Sequence, residues 1–191
     1  REPTTSESIS AAVYKFEELA KPKILDPRWV QLGQIVRTSQ GFFANPPRDA
    51  EGNYVTNEKT LKSYLNGARK IQVGRGHIYL ASNDLGFAEY ETFKQGEQEA
   101  SEFLESGAAK VLEHTEKASN FEFISSPKFY KNGVYVWGFD SVKEPVLQVV
   151  SLDSGRGFYS YRLDVYGNYW YAYYDGYAFG VLNSGEAHAH K

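Results

Sequence analysis

The chain of 191 residues contains no cysteine and no methionine. Without cysteine there is no disulfide, no thiolate zinc site and no cysteine nucleophile. A chain of this length buries roughly 70% of the surface that its unfolded form exposes, so it needs no covalent cross-links to hold a core. Because the sequence starts at Arg1 and lacks methionine, we expect that an N-terminal piece was removed, and we favour an exported, extracytoplasmic protein.

The sequence also lacks an excess of positive charge and a long apolar run. Its 21 basic and 24 acidic residues give a net charge of −3 at pH 7. A chain without a basic field does not attract a phosphate backbone, which disfavours nucleic acid as a partner. No apolar segment approaches the ~20 residues of a spanning helix, so we predict no membrane span in this sequence.

Catalytic and cofactor signatures are equally scarce. The Gly-Arg-Gly segment at residues 74–76 lacks the Lys-Ser/Thr of a phosphate-binding loop, and we interpret it as a plain turn. His77 and His114 have no partner that the sequence identifies, and His188 and His190 near the end of the chain make a poor closed metal site. We therefore predict no catalytic residue, no metal and no cofactor, and we favour a protein that is not an enzyme.

Helical signals dominate the first two thirds of the chain. Thr4 and Glu7 form a capping-box pattern ahead of apolar residues at helical spacing. A short helix is predicted over residues 29–36, and Asn57 is a suitable N-cap for another that ends at Gly67. The longest helix is predicted over residues 87–117. Its apolar stripe, directed at the core, consists of Phe93, Ala100, Phe103, Leu104, Ala108, Val111 and Leu112.

Strand signals dominate from residue 121 onward, after one earlier hairpin that joins residues 71–73 to 77–80. Asn132-Gly133 predicts a hairpin between residues 128–131 and 134–139, and residues 146–152 are apolar enough for a central strand. Tight turns are predicted at residues 153–157, 167–168 and 175–176.

These elements predict a single α+β domain over residues 1–191. An antiparallel meander sheet in the C-terminal half packs against N-terminal and central helices. Residues 1–8 and 184–191 are expected to be flexible at the two ends of this domain.

The late turns decide which side chains share a face of the sheet. With two-residue turns, Leu163, Val165, Trp170 and Phe179 fall on the core face. The opposite face collects the residues that we predict to bind a ligand: Arg162, Asp164, Tyr166, Tyr169, Tyr171 and Tyr173. Tyrosine joins a rigid apolar ring to a hydroxyl and suits sugars, peptides and protein surfaces. The alternative is structural, because tyrosine has a high strand propensity and cross-strand pairs stabilise an exposed face.

Three functions are compatible with these patterns. The favoured one is a non-enzymatic exported binding domain, a secreted interaction or effector-type protein, that engages a protein or a glycan through the tyrosine-rich face. A protein ligand is slightly favoured, because no tryptophan falls on that face in this register. The second is a small hydrolase or isomerase with a cleft between sheet and helices, in which Asp164 and Arg162 take part. The third is an extracytoplasmic ligand-sensing domain of a longer membrane protein.

Overall fold

The computed structural model describes residues 2–19, 30–126, 130, 133–155 and 162–169, without the side chains of residues 14–19, 30, 154–155 and 169. This part of the chain forms five α-helices and a nine-stranded sheet that is antiparallel except for one pair of strands. The predicted α+β class is therefore confirmed.

The helices are α1 (Thr5–Leu19), α2 (Glu58–Tyr64), α3 (Ala100–Glu105), α4 (Gly107–Leu112) and α5 (Ser119–Ile124). The strands are β1 (Val30–Arg37), β2 (Gly41–Ala44), β3 (Arg69–Val73), β4 (Gly76–Leu80), β5 (Gly86–Glu89), β6 (Gly96–Gln98), β7 (Val134–Trp137), β8 (Val146–Gly155) and β9 (Arg162–Tyr169). Their order in the sheet is β3-β4-β5-β2-β1-β8-β9-β7-β6, and β7 and β9 are parallel. The sheet thus takes strands from both halves of the chain, and its order is not that of a meander.

The two predicted N-caps are present, although α2 ends at Tyr64 and not at Gly67. Thr4 Oγ1 accepts the backbone N–H of Glu7 at 3.2 Å, and Glu7 Oε2 accepts that of Thr4 at 2.9 Å. Asn57 Oδ1 accepts the N–H of Thr60 at 3.0 Å at the start of α2. Within the segment 1–8, which the sequence predicts to be flexible, Thr5 is buried and donates its hydroxyl to Leu112 O at 2.6 Å.

The predicted helix over residues 29–36 is wrong, because residues 30–36 belong to β1. The pairing of β1 with β8 shifts register between Gln31 and Gly33, where β1 carries one extra residue. A bulge of this kind changes the side-chain alternation. Leu32 and Ile35 therefore face the same core although they are three residues apart. The helical spacing of these apolar residues has its physical origin in the bulge.

The predicted helix over residues 87–117 is also wrong. This stretch contains β5, a 3-10 turn at Tyr90–Thr92, β6, α3 and α4. Gly96 has a φ of +101°, which a continuous helix does not allow. A Cβ at Gly107 would lie 2.0 Å from Thr92 Oγ1, so a close approach requires glycine there.

The apolar stripe predicted for that helix still packs inward. Phe103 and Val111 are fully buried in the main core, and Phe93 and Leu104 pack against it. The predicted packing of these four side chains is therefore confirmed, although short elements supply them and two of the four are only partly buried.

Of the hairpins predicted at residues 71–80 and around Asn132-Gly133, the first is confirmed and the second is wrong. The hairpin at residues 71–80 is confirmed as β3 and β4. The hairpin around Asn132-Gly133 is wrong, because β6 and β9 occupy the two edges of β7. Gly133 is needed for a different reason, since a Cβ there would lie 2.4 Å from Gln98 O.

The turn predicted at residues 167–168 is wrong, because β9 continues through them. Gly167 packs directly on Phe139, whose ring would lie 2.6 Å from an added Cβ. Residues 153–155 of the turn predicted at 153–157 belong to β8, and residues 156–157 lie outside the described residues. Residues 175–176, Trp170 and Phe179 lie outside the described residues.

Two apolar clusters cover different parts of the sheet. The main core lies on the face covered by α1, α3, α4 and α5, and includes Ile9, Phe103, Phe121 and Val150. A second cluster lies on the opposite face beneath α2 and consists of Val36, Phe43, Leu61, Ala81, Leu85 and Phe87. Consecutive residues such as Phe42 and Phe43 enter different clusters, as the alternation of a strand requires.

Candidate functional site

Strand β9 brings together the described part of the predicted binding set. Leu163 and Val165 are buried in the main core, as the sequence predicts. Arg162, Asp164 and Tyr166 alternate with them and lie on the other face. The alternation was therefore right, although the turn used to derive it was not.

The neighbouring strands place further aromatic residues beside this set. Tyr135 on β7 pairs with Asp164, and Trp137 pairs with Tyr166. On the other side of β9, Asp164 pairs with Asp153 of β8 and Tyr166 pairs with Ser151. Tyr135 and Trp137 thus lie on the same face as the predicted site.

Asp164 is the central acceptor of the group. Its Oδ1 accepts Arg162 Nε–H at 2.7 Å, and its Oδ2 accepts the Tyr166 hydroxyl at 3.1 Å. Asp164 is only 4% exposed, and each of its two carboxylate oxygens accepts one of these hydrogen bonds.

The aromatic rings extend this group across the strands. The guanidinium carbon of Arg162 lies 4.1 Å from the centroid of the Tyr135 ring, in cation–π contact. The Trp137 and Tyr166 rings meet edge to face, with centroids 4.5 Å apart and an interplanar angle of 77°. A single chain of contacts therefore runs from Tyr135 through Arg162, Asp164 and Tyr166 to Trp137, and we call these five residues the β9 platform.

The β9 platform leaves hydrogen-bond donors unused. Within the described residues, the Nη groups of Arg162 and the indole N–H of Trp137 have no hydrogen-bond partner. Trp137 is 39% exposed, and the Arg162 side chain is 25% exposed. The β9 platform therefore offers ring surface together with donors, while its acceptor Asp164 is occupied.

Burial sets the protonation of the polar groups. Burial raises the pKa of the Asp164 carboxyl, and the hydrogen bond and charge of Arg162 oppose this rise. Glu97 raises it further through its charge. Burial, together with the charges of Asp164 and Asp153, also raises the pKa of Tyr166. The Tyr166 hydroxyl therefore keeps its proton and can act as the donor to Asp164.

The other predicted site residues lie wholly or partly outside the described residues. The backbone of Tyr169 pairs with Val149 at the end of β9, but its side chain is not described. Tyr171 and Tyr173 lie outside the described residues. Their place in a binding site stays a prediction.

Sequence reasoning missed Tyr135 and Trp137. The alternation Val134-Tyr135-Val136-Trp137 would have put both on one face, because Val134 and Val136 are buried. What the sequence did not show was the parallel pairing of β7 with β9, which joins strands separated by the whole of β8.

The alternative function, a hydrolase or isomerase, required Arg162 and Asp164 to lie in a cleft between the sheet and the helices. In the structure both residues lie on the face of the sheet away from α1, α3, α4 and α5. Among the described residues, no group of three or more His, Asp or Glu side chains is placed to hold a metal ion. None of the described helices is both long and apolar enough to cross a membrane.

Comparisons with known proteins give one structural similarity. No protein-family model matches the chain, and no curated protein matches it. A solved structure described as "Accommodation of massive sequence variation in Nanoarchaeota by the C-type lectin fold" is similar over 88% of this chain and 82% of that chain. The sequence identity is 18% and the TM-score is 0.48.

Proposed function

We propose that this protein is a non-enzymatic, exported binding domain that engages a glycan or a protein surface through the β9 platform. The observation that carries this proposal is the chain of contacts from Tyr135 to Trp137, which holds the Arg162 guanidinium and the Trp137 indole in place. In the part of the chain that the structure describes, the Nη groups of Arg162 and the indole N–H have no hydrogen-bond partner. Tyr169, Tyr171 and Tyr173 are proposed to extend the same surface.

Preorganisation supports binding at this surface. Ordering a flexible side chain on association costs about 0.5–1.5 kcal/mol, and this cost is smaller where the side chain is already fixed. Arg162 is held through Nε by Asp164 and across its plane by Tyr135. A ligand that meets this guanidinium therefore orders little that the fold has not ordered already.

The burial of Asp164 argues against a purely structural role. A buried ion pair is often no more stabilising than apolar residues of the same volume, because both charges lose their hydration. Tyrosine pairs alone would stabilise an exposed sheet face without any carboxylate. The Arg162–Asp164 pair is therefore better explained by the orientation of Arg162 than by stability.

Trp137 changes the balance between the two ligand classes. The sequence favoured a protein ligand because no tryptophan was expected on this face. The exposed indole of Trp137 lies on it, and such a ring suits the flat apolar side of a sugar as well as a protein side chain. A glycan therefore no longer ranks below a protein.

The test is a binding screen on matched variants. The wild-type protein is labelled and applied to a glycan array and to a display library of extracellular protein domains. The variant Trp137→Ala with Arg162→Ala should lose any specific ligand, by ~1–3 kcal/mol for each important side chain.

The control carries Tyr64→Ala with Arg69→Ala, which likewise removes one aromatic side chain and one arginine, at exposed positions on α2 and β3. This variant should bind as the wild type does. If no ligand distinguishes the two variants while both stay folded by circular dichroism, the β9 platform is structural and the proposal fails.

A further inference from the structure

We infer that the β9 platform recognises a saccharide that carries a single carboxylate, with the carboxylate on Arg162 and the sugar ring on Trp137. This inference rests on the proposed function and specifies the chemical class of its ligand.

The free edge of Arg162 determines the charged part of the ligand. Its Nε–H is used by Asp164, so the two Nη groups form the edge that is left for a ligand. A guanidinium edge binds a carboxylate through two parallel hydrogen bonds, a geometry that an ammonium group does not reproduce. The Tyr135 ring holds the plane of the guanidinium, and this fixes the direction from which a carboxylate can approach.

Trp137 determines the neutral part of the ligand. The guanidinium of Arg162 lies against Tyr135 and Asp164, which pair with each other. Trp137 follows Tyr135 by two residues on β7, so it is displaced from this row by about 7 Å along the strand direction. A pyranose ring with an exocyclic carboxylate bridges a separation of this order. The ring would lie on the exposed indole, and the indole N–H would donate to a sugar hydroxyl.

The surrounding charges limit the ligand to one anionic group. Asp164 already compensates the charge of Arg162, and the exposed Glu97 flanks the same row of the sheet. This environment repels a polyanion such as a sulfated polysaccharide or a nucleic acid. A single carboxylate gains two charge-assisted hydrogen bonds on Arg162 and meets less of that repulsion.

The inference is tested with pairs of glycans that differ only in the carboxylate. The probes are sialyllactose with its methyl ester, a glucuronic-acid-terminated oligosaccharide with its glucose counterpart, heparin as a polyanion, and acidic peptides as the competing protein-type ligand. The acidic member of at least one glycan pair should bind roughly tenfold or more tightly than the neutral member, and heparin and the peptides should bind no better than the neutral sugars.

Three conservative variants of the full chain assign the parts of the ligand. Arg162→Lys keeps the positive charge but cannot form two parallel hydrogen bonds, and should remove most of the preference for the acidic member. Trp137→Phe keeps a ring but loses the N–H donor, and should weaken both members of the pair. Glu97→Gln removes a flanking charge from an exposed residue and should tighten binding of the acidic member by about twofold.

Matched substitutions elsewhere separate these effects from a general loss of fold. Arg69→Lys on β3 and the exposed Glu51→Gln should leave all affinities unchanged. Melting curves establish that each variant is folded.

The outcomes separate this inference from the proposed function. Equal binding of acidic and neutral glycans, lost in Trp137→Phe, would overturn the carboxylate and leave the binding function in place. Binding of acidic peptides alone through Arg162 would overturn the saccharide class, and binding of heparin alone would overturn the limit to a single carboxylate. Either result would leave the binding function in place. If no probe and no displayed protein domain depends on the β9 platform, both the inference and the proposed function fall.

Discussion

The two ends of the sheet carry very different surfaces on the face away from the main core. At the end formed by β1, β2 and β5, this face is apolar and forms the second cluster beneath α2. At the end formed by β6, β7, β9 and β8, the same face carries the β9 platform. Both ends share one inner core, so stability alone does not require the difference.

Under the proposed function, one sheet serves two purposes. Where a helix covers the outer face, its rings pack on one another, as Phe43 does on Phe87 with centroids 4.4 Å apart. Where no described helix covers it, its rings are linked through charged groups, and Trp137 and Arg162 have donors without a partner among the described residues. Substitutions should therefore change mainly stability at the first end and mainly binding at the second.

The largest effect is expected from Phe43→Ala at the covered end. Phe43 is fully buried in the second cluster, and removing its ring leaves a cavity between β2 and α2. We expect a loss of about 3–5 kcal/mol in the free energy of unfolding, measured by urea denaturation. A loss below about 1 kcal/mol would show that the second cluster is not a packed core. The two ends of the sheet would then not differ in what they contribute to stability.

A smaller loss is expected from Asp164→Ala at the platform end. The substitution leaves Arg162 and Tyr166 without their common acceptor, but Arg162 is partly exposed and can turn to water. We expect about 1–3 kcal/mol less stability in the same experiment. Tyr166→Phe, which removes one of the two donors, should cost less than Asp164→Ala; the reverse order would mean that Asp164 does not organise the platform.

The pH dependence of stability should separate Asp164→Asn from the wild type. Burial raises the pKa of Asp164 above its ordinary value of 3.8. At pH values between 3.8 and the raised pKa of the folded state, the folded protein holds a proton on Asp164 that the unfolded chain has released. The free energy of unfolding therefore falls as the pH rises through this interval. The slope is at most about 1.4 kcal/mol per pH unit for one group.

Asn does not titrate, so Asp164→Asn should lose less stability than the wild type over that interval. Denaturation curves at several pH values from acid to neutral measure the difference between the two proteins. Parallel curves would show that the Asp164 carboxyl titrates as it does in the unfolded chain.

The smallest effect is expected from Glu97→Gln. Glu97 is exposed, so its replacement should change the free energy of unfolding by about 0.5 kcal/mol or less. Because the charge of Glu97 raises the pKa of Asp164, the variant should titrate Asp164 at a lower pH, which carboxyl NMR signals report. The exposed Glu51→Gln on the loop before α2 should leave that titration unchanged.

Local signals in the sequence predicted the local parts of the fold. The capping box at Thr4 and Glu7, the cap at Asn57 and the hairpin of β3 and β4 depend on residues close in the chain, and all three are present. The longer elements were mispredicted where a bulge or a close approach alters the spacing. Leu32 and Ile35 have helical spacing because of the bulge in β1. Gly107, inside the helix predicted over residues 87–117, is a glycine because the chain passes close to Thr92 there.

The site was predictable along one strand but not across strands. Alternation placed Arg162, Asp164 and Tyr166 together, since it depends only on the extended backbone of β9. Their partners Tyr135 and Trp137 reach them through a parallel pairing between strands about 30 residues apart. Periodicity within a strand carries no information about which strand will lie beside it, so these residues had to come from the structure.

The position of β9 has a consequence for how the protein folds. β9 is the last described strand in the sequence, yet it lies between β8 and β7. Its antiparallel pairing with β8 is local, since Gly155 pairs with Arg162, whereas its parallel pairing with β7 joins residues about 30 apart. Before that second pairing forms, the strands make two separate ladders whose facing edges, on β9 and on β7, have unpaired backbone groups. Such edges are open to pairing with other chains. Because contacts between residues distant in sequence form slowly, we expect the joining of β9 to β7 to be late. Folding intermediates that lack this pairing should therefore be the aggregation-prone species, and the β9 platform should exist only in molecules that have completed this step.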